Sequence, residues 1–159
     1  MLPISAIDFA FHNAVPQSAF GILMISFVLA FDGFAYGWTI RFFRSNVGQN
    51  PNPSMIKATF FFILCTQLLA ITQLASIAIW ACALLLVGVC PDWNTAIRLS
   101  ASSYTTLGDF SSSIPGGWHL TPAFMAFSGL FSFAWASSSI ISMLNSLNTF
   151  LDAAKRSVD

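Results

Sequence analysis

The residues able to do chemistry gather in one stretch, Cys90-Pro91-Asp92-Trp93-Asn94-Thr95 through Gly117-Trp118-His119-Leu120. It holds hydroxyls, one amide, two carboxylates, one guanidinium and one imidazole. Their spacing does not suit group transfer. No Ser/His/Asp grouping, paired carboxylates or phosphate-cradling loop stands in a usable context, so the chain does not read as an enzyme. The three cysteines, Cys65, Cys82 and Cys90, lack metal spacing, and neither a disulfide nor a metal site is expected. No cofactor is implied. The chemistry left is that of oxygen atoms and peptide groups held toward water or ions.

The backbone pattern of this stretch supports that. Pro91-Asp92 can begin a helix, with Asp favoured at the positive end of the helix dipole, and Trp93–Tyr104 makes about three turns. Thr105-Thr106-Leu107-Gly108-Asp109-Phe110 follows, expected as an extended strand near a glycine. A Ser-rich turn and Pro115-Gly116-Gly117 then return the chain. A helix, a strand and a return loop make a re-entrant segment. Such backbone is tolerated at membrane depth only where protein or a water-filled path surrounds it. This points to an assembly around a pore.

The elements that would position it are apolar. Of 159 residues, 56% are hydrophobic and 8% charged, with 17 Phe; a soluble domain carries about 25% charged residues. Net charge is zero, which gives no reason to expect nucleic acid. About 20 apolar residues cross the hydrocarbon core, and three stretches qualify. A first transmembrane helix is expected over 18–41, an outer helix over 58–89 and an inner helix over 121–151. The pore helix and filter-like loop fall between the last two, over 91–117. The expected fold class is therefore all-α, with three transmembrane helices and a re-entrant element between the second and third.

Residues 1–17 read as an outer arm containing a short interfacial helix. They lack Lys and Arg, so they do not form a secretory signal. Residues 42–57, broken by Pro51 and Pro53, read as a cytoplasmic loop, and 152–159 as a cytoplasmic tail. Arg41, Arg44, Lys57, Lys155 and Arg156 share one side and only Arg98 the other, so the N-terminus is expected outside.

Within the spans, Asp32 is a carboxyl in an apolar helix, read first as a hydrogen-bonding group and second as an ion- or proton-handling one. Gly33 and Gly37 form a small-residue pair one turn apart that favours close helix contact. Through them the first helix could meet other membrane subunits. Gln67 and Gln73 read as interhelical glue. Ser137, Ser138, Ser139, Ser142 and Asn145 could line a wet vestibule or form helix contacts.

Several of these positions carry a family resemblance. Ser103-Tyr104-Thr105-Thr106-Leu107-Gly108 looks like the end of a pore helix and the first half of a filter. Gly117-Trp118-His119-Leu120 is similar to a Gly-Trp-Arg-Leu return. Pro122, Gly129 and Phe133-Ala134-Trp135-Ala136-Ser137-Ser138 are similar to an inner helix. Over about 58–150 the chain resembles the pore module of potassium channels, in particular the small bacterial two-helix members. The family filter continues Tyr-Gly-Asp, whereas here Asp109-Phe110 follows Gly108. Two alignments stay open: a deleted Tyr-Gly pair, or an ungapped Thr-Leu-Gly-Asp-Phe.

The resemblance implies a filter built from Thr105, Thr106, Leu107, Gly108 and Asp109, with altered and weaker selectivity. It implies a hinge at Gly129, K+ or Na+ as permeant ions, and a bacterial inner membrane. One pore loop cannot close a ring, so conduction implies a homotetramer. The alternative is a non-conducting accessory subunit of a larger membrane complex that keeps a degenerate pore-loop fold.

Overall fold

The structure, a computed structural model, describes residues 4–47, 55–108, 114 and 118–156, with side chains from 15 to 150. Four helices and no strand occur among the described residues: α1 (Ile4–Val47), α2 (Met55–Leu86), α3 (Trp93–Tyr104) and α4 (Thr121–Arg156). Three contain stretches long and apolar enough to cross a membrane: Val15–Val47, Met55–Leu86 and Thr121–Phe150. The protein is membrane-embedded and all-helical.

α1 departs from the sequence expectation at its start. It runs unbroken from Ile4 through Pro16, so the arm and the first span form one helix. An interior proline removes one backbone hydrogen bond, a loss that membrane helices tolerate, and Gln17, Phe20 and Gly21 just beyond it are packed. α1 also continues to Val47, six residues past the expected boundary at 41. The Pro51–Pro53 turn lies outside the described residues.

α2 stops at Leu86 because Gly88 takes φ +77°. Val89 N–H donates to Leu84 C=O at 2.9 Å and Gly88 N–H to Leu85 C=O at 3.0 Å. These two bonds define a Schellman end, with glycine in the left-handed position. α3 covers the twelve residues Trp93–Tyr104. Its N-cap is Asp92, whose Oδ1 accepts from Thr95 N–H at 3.0 Å and whose Oδ2 accepts from the Thr95 hydroxyl at 2.7 Å.

The chain divides into two compact units, to which α1, α2 and α4 all contribute. The first comprises Met1–Ala30 and Leu74–Phe131. Its core gathers Val28, Trp80, Leu84 and Met125 with the buried α3 residues Ala96, Leu99 and Tyr104. The Trp80 indole N–H donates to Ser128 Oγ at 2.9 Å, and the Ser128 hydroxyl donates to Met125 C=O at 2.8 Å. The second unit comprises Phe31–Gln73 and Ser132–Asp159. It packs Tyr36, Phe43, Cys65, Leu69, Ala136 and Met143. In hydrocarbon, burial between helices gains packing rather than escape from water, so shape fit and interhelical hydrogen bonds carry the association.

Candidate functional site

The site expected from the sequence sits where α3 ends, in the first unit. Thr105 is the C-cap, and its hydroxyl donates to Ala101 C=O at 2.7 Å. Thr106 N–H then donates to Ser103 C=O at 3.0 Å and Leu107 N–H to Ser102 C=O at 2.9 Å. This is the same Schellman pair of bonds that ends α2, but here the left-handed residue is Thr106, at φ +59°. Gly108 is also left-handed, at φ +74°, and its N–H reaches Ser102 C=O at 3.3 Å.

The expected extended strand is therefore a tight turn over Thr105–Thr106. The physical reason is local: the unpaired last carbonyls of α3 draw in the next amides. A β-branched residue at positive φ is a genuine outlier. Thr105, Thr106, Leu107 and Gly108 are all exposed in the single chain, Leu107 at 79%. Asp109, the fifth filter candidate, lies outside the described residues, as do Phe110, Gly116 and Gly117.

Gly129 meets this end of α3. A Cβ added there would run into the Tyr104 carbonyl oxygen and stand 2.9 Å from its carbonyl carbon. Absence of a side chain at Gly129 is thus what lets the α3 terminus seat on α4. Gly129 is eight residues beyond Thr121, about 12 Å along the helix axis at 1.5 Å per residue. The contact gives Gly129 a packing reason independent of any hinge.

Two hydroxyls on the buried face of α3, Ser100 and Ser103, have no hydrogen-bond partner, nor does that of Thr121 at the start of α4. Burial together with the Asp92 carboxylate pushes the Cys90 thiol up, so it stays protonated at neutral pH. Among the described residues no three of His, Cys, Asp and Glu converge as a metal site would require.

The remaining sequence candidates fall in the second unit. Asp32 is fully buried near the middle of its span and accepts a hydrogen bond from the buried Ser132 hydroxyl. This α1–α4 bond gives the carboxyl the interhelical role read from the sequence; its partner, a hundred positions away, carries no local signal. Gly33 is close-packed: a Cβ there would lie 2.7 Å from the Trp135 ring. Gly37, one turn on, faces open space. The two glycines are therefore not used together within the chain. Arg44 donates to Ser142 Oγ at 3.3 Å.

Sequence reasoning missed two features of the first unit. One is the left-handed Thr106; the signal available was a helix followed by two residues and then a glycine. The other is Gln17, whose Oε1 accepts from Leu120 N–H at 3.1 Å across 103 positions. A buried Gln one residue after a helix proline was the only hint. Compared with known proteins, the chain matches no family model, no curated protein and no solved structure.

Proposed function

We propose that the chain is one subunit of a homotetrameric channel that passes K+ or Na+ down their gradients. The observation that carries this reading is the seat of α3. A polar twelve-residue helix follows one spanning helix and precedes another. It ends against Gly129, about 12 Å along α4, and leaves Thr105–Gly108 uncovered. Peptide groups at such a depth need water or protein around them. Four chains about an axis would supply both, with the turn re-entering the membrane and its oxygens facing a water-filled path.

The exposed face of α4 in the second unit agrees with this. One exposed stripe carries Ser138, Asn145 and Asn148 at helical spacing together with Ala134 and Ile141, while Phe133, Trp135 and Leu144 are exposed to either side of it. Amide side chains against lipid tails are unfavourable, whereas against water they cost nothing. The basic residues favour an external N-terminus and a cytoplasmic C-terminus, and the resemblance to small bacterial channels favours a bacterial inner membrane.

Reconstitution into liposomes tests the reading. Potassium and sodium flux are measured for the natural chain and for Gly108→Ala, which strains the left-handed position. Flux that Gly108→Ala abolishes supports a channel. Absence of flux for both ions defeats it and favours the accessory-subunit reading, in which the open face at Gly37 would take an unlike membrane partner.

A further inference from the structure

We infer that α1 positions Trp118–Leu120, the limb that follows the filter-like loop and leads into α4, with Gln17 as its hydrogen-bonding contact. The inference builds on the channel reading above.

Two points in the first unit flank the nine-residue link from Gly108 to Trp118, and Ile114 within the link packs against the core of that unit. One point is the turned end of α3, seated on Gly129. The other is the turn Trp118–Thr121, closed by Thr121 N–H donating to Trp118 C=O at 3.2 Å. α4 ties this second anchor only through carbonyl groups, with Leu120 C=O accepting from Ala123 N–H at 3.0 Å. Leu120 is the residue just before the helix, and its carbonyl also accepts from Phe124 N–H at 3.3 Å. Its own N–H is one of the donors that a helix start leaves unpaired, and Gln17 supplies the acceptor.

Two further α1 contacts hold the same limb. The Phe20 ring stands edge-on to Trp118 at 5.4 Å and 87°, and edge-on to Trp80 at 6.3 Å and 75°. Gly21 lies so close to Phe124 that a Cβ would enter the ring. Three consecutive contact types therefore come from one turn of α1: a hydrogen bond, an aromatic edge and a close approach. They act on Leu120, Trp118 and Phe124, which surround the entry to α4. Ion selectivity requires oxygens held in fixed relation to the axis, so the position of this limb bears on which ion passes. Gln17 is a positioning residue and touches no ion.

The test uses the full chain in liposomes with Gln17→Met, which keeps the length of the side chain and removes the acceptor, and Gln17→Glu, which restores an acceptor oxygen. The first readout is hydrogen exchange at the Leu120 amide. Protection should fall about fivefold in Gln17→Met, the factor for a hydrogen bond of about 1 kcal/mol, and return in Gln17→Glu. The second readout is the potassium-to-sodium flux ratio, which should move toward unity in Gln17→Met and recover in Gln17→Glu. Phe20→Leu, which leaves Gln17 intact and removes the ring on Trp118, should shift the ratio the same way if Gln17→Met does not fold.

Unchanged Leu120 protection in Gln17→Met overturns the anchor. Lost protection with an unchanged flux ratio overturns its bearing on selectivity. A natural chain that passes neither ion defeats the channel reading and the selectivity role together, while the exchange result still decides whether α1 holds the limb.

Discussion

The ends of α2 and α3 use one hydrogen-bonding motif and fill it in opposite ways. At the end of α2 the left-handed position is Gly88, and the next residue, Val89, is 3% exposed beside Leu84, fully buried, in the same core. Both choices favour folding: glycine adopts positive φ without strain, and the apolar contact across the turn completes the motif. At the end of α3 the left-handed residue is Thr106, the next residue, Leu107, is exposed, and the residue it would pack on is Ser102. Thr106 costs about 1–2 kcal/mol of backbone strain and Leu107 gains nothing from the core. The end of α3 thus departs from the stable solution that the same unit contains, which makes Thr106 the position to test for a role beyond stability. The two ends also differ in what holds them. α2 is closed by its own following side chain, whereas α3 is held by the seat of Tyr104 on Gly129.

That seat gives the largest expected effect. In Gly129→Ala the new methyl meets a backbone carbonyl, which cannot rotate away as a flexible side chain would. Overpacking of this kind costs about 1–3 kcal/mol, and the upper end is expected because α3 must shift bodily. Thermal unfolding in detergent should show the loss. Stability equal to that of the natural chain would mean that α3 is held by other contacts, and the contrast between the two ends would lose half its basis.

The motif itself can be tested by exchanging its residues. Gly88→Thr should destabilise by about 1–2 kcal/mol from conformational strain alone, since a Cβ at Gly88 meets nothing within 4 Å. Thr106→Gly should do the reverse and stabilise by up to about 1 kcal/mol, the strain relief less the entropy of a freer unfolded chain. Paired unfolding curves of the two variants check the opposite signs. If both destabilise, Thr106 makes contacts that outweigh its strain. If Thr106→Gly stabilises and also alters ion flux, the strained residue serves the pore at the expense of the fold.

Much of this architecture could be read from residue types, and the unread part has a common cause. The three spans follow from hydropathy and length, and α3 from Asp92 and the polar residues after it, because each signal is contained within its own segment. Asp92 is a helix start that needs only Thr95, three positions away. The unbroken α1 could not be read, because Pro16 is a breaker by local rules. Thr106 could not be read either: the sequence places a glycine two residues later, and local preference assigns the left-handed turn to that glycine. The partners of Asp32 and Gln17 lie 100 and 103 positions away. At the end of α3 the seat on Gly129 depended on a contact between segments that neither contains alone.

The start of α3 offers the smallest effect and completes the contrast with its end. Hydrogen bonds from the Thr95 backbone and hydroxyl hold the Asp92 carboxyl below the ordinary aspartate value of 3.8. In the unfolded chain Asp92 regains the ordinary value and binds a proton where the folded chain does not. Its contribution to stability is therefore fully present above that value and falls away as pH drops through the folded one. Asp92 is exposed, so solvent screens much of the effect. Unfolding temperature measured below pH 4 should decline less steeply in Asp92→Asn, which keeps a capping oxygen but does not titrate. Equal acid slopes would show that the start of α3 is set by its packing against the core. Neither end of the helix would then be secured by its own sequence, and packing against the core together with the seat on Gly129 would be left to restrain it.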